Sequence, residues 1–354
     1  MPIILGLLFG GRSGAHNVSV GAAQDIYKAL QTSKYSKKYH VIPFYIQRDG
    51  RFAPKKIATS YLDNKNHGWS FDQSELPKES LVFTDELTTI DVCLSTILCG
   101  VGSGDGSIQG FIETLQIPLV GSSVLGASIG ADKITMKRVF AQMNIPQVKY
   151  ISIDKSKLFS SSKSLDNFCD EVEKSFRYPY FVKPSRLGSS LGISMANNRQ
   201  ELKDGFQLAS SYDHRIIVEQ GIKARELSCA VLGNIAPQIS ILAEKVYENS
   251  FNSYDTKYKA NQGQFKLVQD LPDSITQDIK KLANLAFKAI ACLDACRIDF
   301  FLLEDNQTVM INEVNTVFGF KESSMFSFLW KSVGIEFPDL IDKLITLALE
   351  RKNL

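Results

Sequence analysis

The strongest constraint on this chain lies near its end, in RIDFFLLEDNQTVMINEVNT, residues 297–316. Residues 297–303 are rich in Phe and Leu, Asp305-Asn306 is a turn pair, and 309–314 is apolar with isolated polar positions, which reads as two strands and a turn. Side chains two apart on a strand share a face. Arg297 and Asp299 therefore share one face of the first strand, and Glu313 and Asn315 share one face of the second. Paired as a hairpin, the strands bring Asp299, Glu313 and Asn315 together as oxygen ligands with Arg297 beside them. Hard oxygen ligands with one or two carboxylates suit Mg2+ carrying substrate phosphates rather than zinc. A plain hairpin with one solvated face would instead leave both acids among apolar neighbours without partners, which is costly.

Upstream, strand and helix patterns alternate, as in an α/β protein. Residues 3–9 form an apolar run that ends in Gly10-Gly11-Arg12-Ser13-Gly14, and a helical pattern follows over 18–30. That turn stands at the carboxyl end of a strand, where such folds bind ligands, but it lacks the G-x-G-x-x-G spacing of a dinucleotide site. Strands are expected at 41–46, 92–98 and 118–120, and 55–85 reads as a polar, irregular excursion. The second of these strands also ends in glycines, Cys99-Gly100-Val101-Gly102-Ser103-Gly104-Asp105-Gly106, and a helix starts at Ile108. Residues 122–143 read as one helix with Lys133 and Lys137 four apart on one face.

Residues 150–153 read as a strand, 155–163 as a Ser/Lys-rich loop and 167–175 as a helix. Over 180–193 two short strands flank a Gly-Ser-Ser tip, with Lys183 on the first. Backbone N–H groups and hydroxyls at such a tip can fold over phosphates, and the lysine adds a point charge. The strand 216–220 ends at Glu219-Gln220, a place for a ribose or adenine contact, although a solvated strand-end acid is the plainer reading. A strand at 225–232 carries Glu226, and the Lys/Asn-rich stretch 250–265 is a candidate lid. Helices at 275–293 and 337–352 complete the pattern.

Composition narrows the partners. The 354 residues are 44% apolar and 22% charged with a net charge of +2, which gives no reason to expect nucleic acid or an anionic membrane. Six scattered cysteines form no C-x-x-C pair, and Cys292 and Cys296 would share a helix face inside the core. No leader pattern and no apolar run of ~18 residues is evident, so a reducing cytoplasm is expected.

Taken in order, LLFGGRSGAHNVSV, GDGSIQG, IPLVGSSVLGASIGADK, FVKPSRLGSSLGIS, IIVEQGIKARELSCAVLG, SYDTKY, RIDFFL and INEVNT resemble the D-alanine–D-alanine ligases of the ATP-grasp superfamily. The likeness runs from Leu5 to about Leu349, and details such as PQVKY look most like the cyanobacterial branch. The resemblance implies a three-domain α/β ATP-grasp fold: an N-terminal α/β domain over 1–125, a central ATP-grasp domain over 126–220 and a C-terminal one over 221–354. It implies that ATP phosphorylates one amino acid's carboxylate and that a second amino acid's amine then attacks the acyl phosphate, in peptidoglycan precursor synthesis. The implied cofactors are ATP and two Mg2+ ions, for which Mn2+ can substitute. The implied partners are small amino-acid substrates and a second copy of the chain.

Carried over by position, Lys137 and Lys183 contact the phosphates under a loop formed by Ser189 and Ser190, and Lys257 reaches the γ-phosphate. Glu219 and Glu226 hold the adenine and ribose side. Asp299, Glu313 and Asn315 hold the metal ions. Arg297 and the Gly319 N–H face the oxyanion, and Ser189 and Tyr258 count among the catalytic residues. Ala15, His16, Val18, Cys99, Ser324 and Met325 line the amino-acid subsites. Departures from the family pattern fall on the amino-acid side alone. Ala15 stands where the family has a glutamate that grips the first ammonium, Cys99 replaces a histidine, Phe318 a proline, and Lys321-Glu322 small or hydroxyl residues. They leave three readings open: the D-alanine ligase, a ligase of other amino-acid-like substrates such as those of secondary metabolism, and a nucleotide-binding homologue that no longer ligates.

Overall fold

The computed structural model describes residues 1–63, 85–98, 100–188, 190–246, 264–305 and 307–351. Three sheets with helices packed on them build the chain. The first contains β1 (Ile3–Gly10), β2 (Tyr39–Ile46) and β3 (Val92–Ser95), parallel in the order β2-β1-β3. Its continuous apolar strands are those of a sheet covered on both faces. Around it stand α1 (His16–Leu30), α2 (Lys55–Leu62) and α3 (Ser107–Thr114). The expected excursion at 55–85 is thus corrected over its first part, where Ala58 and Leu62 bury one face of a helix. Residues 64–84 lie outside the described residues. The expected strand at 118–120 amounts to one bridge between Cys93 and Leu119.

Residues 122–143 form two helices, α4 (Val124–Ala131) and α5 (Lys133–Gln142), rather than one. Asp132 breaks the run because its carboxylate accepts the Thr135 N–H at 2.8 Å, capping the second helix from an extended backbone. The second sheet is antiparallel, in the order β4 (Tyr150–Asp154), β7 (Arg215–Gln220), β5 (Tyr180–Pro184), β6 (Ser194–Ala196). The short α6 (Lys155–Leu158) occupies part of the expected Ser/Lys loop, and α7 (Ser164–Ser175) and α8 (Arg199–Tyr212) cover the sheet. Only 180–182 pairs with 194–196, so the expected tight Gly-Ser-Ser tip is a longer loop.

The third sheet runs β11 (Gln264–Leu267), β10 (Ala243–Val246), β8 (Ala224–Leu232), β12 (Ala295–Leu303), β13 (Val309–Asn315), with β9 (Gln238–Ile239) on β8. Its cover helix, α9 (Asp273–Ala289), ends four residues earlier than its pattern suggests, because Ala291 and Asp294 take left-handed backbone. Cys292 and Cys296 therefore do not share a helix face, although both are buried in this unit's core. Beyond β13 lie α10 (Met325–Lys331) and α11 (Phe337–Arg351).

The final helix returns to the beginning of the chain. Leu340, Ile341, Leu344 and Ile345 share one core with Leu5, Leu7, Val92 and Leu94. Tyr35 and Tyr39 donate to Asp339 and Asp342 of that helix, both at 2.5 Å. At its far end Arg351 donates to the fully buried Asp294 at 2.8 Å, and Asp294 also accepts the Gly121 N–H at 2.8 Å. The outer edge of β13 meets α5 and the segment that leads into β4, where Ile311 N donates to Pro146 O at 2.8 Å and Val314 N approaches the Met136 sulfur at 3.4 Å. Among the described residues no helix is long and apolar enough to cross a membrane.

Candidate active site

The hairpin of β12 and β13 sets Arg297 opposite Asn315 and Asp299 opposite Glu313, so all four side chains rise on one face. The register slips directly after Asp299, where Phe300 pairs with Ile311. Such a bulge re-aims the side chains next to it. The Asp299 carboxylate takes Arg297 Nε at 2.9 Å and Nη2 at 2.7 Å, Asn315 Nδ2 at 2.9 Å and the Ser228 hydroxyl at 2.7 Å. Sequence reasoning missed Ser228. It stands opposite Asp299 on β8, and its signal is the two-residue spacing from Glu226.

A second cluster faces this hairpin. Helix α5 brings Lys137, β5 brings Lys183 and β7 brings Glu219, which lies diagonally across from Lys183 in the register. Glu219 Oε2 accepts from Lys183 Nζ at 2.5 Å, and Oε1 lies 3.2 Å from Lys137 Nζ. Lys137 is 1% exposed, and among the described residues its ammonium is held by the ion pair to Glu219 without a well-aligned hydrogen bond. Burial raises the Glu219 pKa, but the charges of Lys137 and Lys183 outweigh it and hold the carboxyl down at about 2. Burial pulls the Lys137 pKa below the ordinary lysine range despite Glu219. Lys183 suffers the same desolvation, yet Glu219 carries it above that range. Glu313 of the hairpin also acts electrostatically on both lysines, which ties the two clusters into one site. Glu219, expected beside a nucleoside, thus stands between the two lysines.

Lys133, four residues before Lys137 on the same helix as expected, donates to Leu187 O at 2.7 Å. This is one of several bonds pinning the start of the loop 185–193. Ser185 Oγ donates to Asp132 Oδ1 at 3.0 Å, and Arg186 Nη2 donates to buried Asp213 at 2.6 Å. None of these anchors was read from the sequence. Ser190 takes left-handed backbone with φ of 60°, while Ser189 lies outside the described residues.

The first loop closes because Gly10 and Gly11 have positive φ; a Cβ on Gly10 would lie 2.2 Å from Ile46 O. His16 is 3% exposed and donates from Nδ1 to Gly11 O at 2.7 Å, leaving Nε2 to accept from the Tyr45 hydroxyl at 3.1 Å. Burial lowers its pKa, in keeping with a neutral ring whose two nitrogens are both used inside the fold. Ala15 is buried at the start of α1 and offers no side-chain cap, and Val18 is half-buried on the same helix. Leu191 of the second loop reaches Gly14, with Cδ1 3.0 Å from where a Cβ would stand.

On the opposite side, nothing among the described residues lies within 4 Å of a Cβ position at Gly319. Lys321 runs over Gly21 of α1, and Glu322 N donates to Asp25 at 3.3 Å. Ser324 caps α10, whose first residue Met325 is buried, and Glu226 is exposed on β8. Cys99, Lys257, Tyr258 and the candidate lid up to residue 263 lie outside the described residues. Among the described residues no three His, Cys, Asp or Glu side chains form a metal cluster. The two carboxylates and one amide of the hairpin are nevertheless the hard-oxygen set that suits Mg2+, and two lysine ammoniums sharing a single carboxylate suit a phosphate.

Comparison with known proteins points to one family along most of the chain. The family model described as D-ala D-ala ligase N-terminus matches residues 4–122, and the model of the C-terminus matches 139–346. A D-alanine–D-alanine ligase of Bacillus velezensis is 40% identical over 352 residues, 97% of either chain. The solved D-alanine–D-alanine ligase of Coxiella burnetii superposes with a TM-score of 0.77 at 27% identity, over 99% of this chain and 95% of that one. The VanG D-Ala:D-Ser ligase of Enterococcus faecalis gives 0.79 at 26% identity, over 98% and 100%.

Proposed function

The chain belongs to the D-alanine–D-alanine ligase family, and from that premise we infer that it is an ATP-dependent ligase joining two D-alanines for peptidoglycan precursor synthesis. The observation that carries the reading at the level of the site is the facing of two charge sets. Lys137, Lys183 and Glu219 leave a net positive pocket, and Glu313, which shares its hairpin face with Asp299 and Asn315, acts electrostatically on both lysines. A polyanion bridged to a divalent cation suits that pair. We assign the nucleotide phosphates to the lysines with Ser189, Ser190 and Lys257, its adenine and ribose to Glu219 and Glu226, and Mg2+ to the three hairpin ligands. When bound, the Mg2+–ATP pair supplies the phosphoryl group that activates a carboxylate.

The residues themselves do the positioning. Asp299 grips Arg297 through two hydrogen bonds, so the guanidinium is oriented before any substrate arrives. Arg297 and the Gly319 N–H are assigned to the oxyanion of the tetrahedral intermediate, where preorganised donors act most strongly. Among the described residues the space at Gly319 is open, which leaves room for a reacting carbonyl. Ser189 and Tyr258 join them as catalytic groups. Ala15, His16, Val18 and Cys99 are assigned to the first amino-acid subsite and Ser324 and Met325 to the second. Residues 1–125, 126–220 and 221–354 are taken as the three domains, and a cytoplasmic homodimer as the working form.

Ala15 supports a second reading in which the first substrate is another amino-acid-like molecule. It is buried where the family pattern has a carboxylate, so an ammonium bound there has no ionised partner from this position. Phosphate release with ATP and Mg2+ across D- and L-amino acids, alone and in pairs, separates the two. D-alanine alone sustaining release, with D-alanyl-D-alanine as product, is expected. Release only with other substrates overturns the first reading in favour of the second.

A further inference from the structure

Helix α4 carries Gly126 and Gly130, four apart and so on one face. A Cβ on Gly126 would lie 2.5 Å from the backbone oxygen of Ala291. A Cβ on Gly130 would lie 2.5 Å from Thr316 Oγ1, 2.6 Å from its Cγ2 and 3.1 Å from its Cβ. Both partners belong to the unit of the third sheet, and neither is the free end of a long flexible side chain. One is main chain, and the other is a β-branched side chain, stiff at χ1 and 4% exposed. Among the described residues Thr316 Oγ1 is buried without a hydrogen-bond partner, so what the side chain supplies at this contact is shape. Thr316 follows Asn315 directly, and α4 runs into Asp132, the cap of the helix that carries Lys137.

We propose that the seat of Thr316 on Gly130 is a positioning joint. It holds the end of β13, and with it Asn315 and Glu313, at a set distance from Lys137. The proposal rests on the assignment of the hairpin to Mg2+ and of Lys137 to the phosphates. Gly130 and Thr316 are not among the residues assigned to nucleotide, metal or substrate; they act through the strand end. A methyl at position 130 pushes Thr316 outward and carries Asn315 with it. Misplacement of a site group by about 1 Å costs on the order of 100-fold in turnover.

The test uses the full chain and four variants: Gly130→Ala, Thr316→Ala, the two combined, and Thr316→Val. Hydrogen exchange over 313–319 is followed without nucleotide, binding of a non-hydrolysable ATP analogue with Mg2+ by calorimetry, and turnover by phosphate release. Gly130→Ala is expected to speed exchange at 313–319, weaken analogue binding and lower turnover about 100-fold. The double variant, which removes the two closest Thr316 atoms, is expected to recover on all three readouts. Thr316→Val keeps the shape and is expected to behave like the parent. Parent-like exchange in Gly130→Ala, or a double variant as impaired as the single one, overturns the proposal. A Thr316→Val variant that is inactive overturns it too, since the hydroxyl would then matter more than the shape. Faster exchange with unchanged analogue binding overturns the positioning role, and Asn315→Ala then separates the causes. If that variant also binds the analogue normally, the metal assignment of the hairpin has failed rather than the joint.

Discussion

Replacing Glu219 by glutamine tests the electrostatic core of the site most directly. The substitution keeps the shape and removes the negative charge ion-paired with both Lys137 and Lys183, at 3.2 and 2.5 Å. With side chains only 1%, 13% and 4% exposed for Lys137, Lys183 and Glu219, solvent cannot take its place. The size of the loss follows from proton linkage. The Glu219 pKa falls from 4.5 to about 2 on folding, and each tenfold change in proton affinity is worth about 1.4 kcal/mol, so ionised Glu219 contributes about 3 kcal/mol at neutral pH. Breaking a buried pair from one side costs about the same. Because the folded-state pKa is the lower one, this stability is fully present above pH 4.5 and drains away as the pH falls toward 2. Urea unfolding of the nucleotide-free protein, followed at pH 7 and pH 3, should show a gap of about 3 kcal/mol between parent and Glu219→Gln at the first pH and roughly half of it at the second. A gap below about 1 kcal/mol at pH 7, or one equally large at both values, refutes the reasoning.

Three further outcomes are expected. Asp299→Asn should abolish ligation while leaving the protein folded, because it weakens both the metal site and the grip on Arg297; near-normal turnover in saturating Mg2+ removes Asp299 from the metal set. Arg297→Met should lower kcat by about 100-fold or more with little change in the KM for ATP; the reverse pattern in steady-state kinetics means that the arginine binds nucleotide instead. Ala15→Glu should raise kcat/KM for D-alanine by giving the first ammonium a partner; efficient turnover of D-alanine by the parent, unchanged in the variant, shows that other groups already do this.

Much of the fold and part of the site can be read along the chain. The apolar run of β1, its glycine turn, the period of α1 and the hairpin of β12 and β13 all rest on local geometry. The two-residue period of a strand put Arg297, Asp299, Glu313 and Asn315 on shared faces, and the register then set them opposite one another. Such patterns are legible because neighbours in the chain and the pleat alone determine them. What only the tertiary structure decided involves groups far apart in sequence. Glu219 reaches Lys183 across 36 residues, and Ser228 reaches Asp299 across 71. Asp132 breaks a helical pattern in part because Ser185 and Arg215 also converge on its carboxylate, and α11 closes onto a sheet from the other end of the chain. Local periodicity carries no information about such meetings. They arise because buried charges must find partners and apolar faces must find cover, and the partner is whichever group the packing of the whole chain brings within reach.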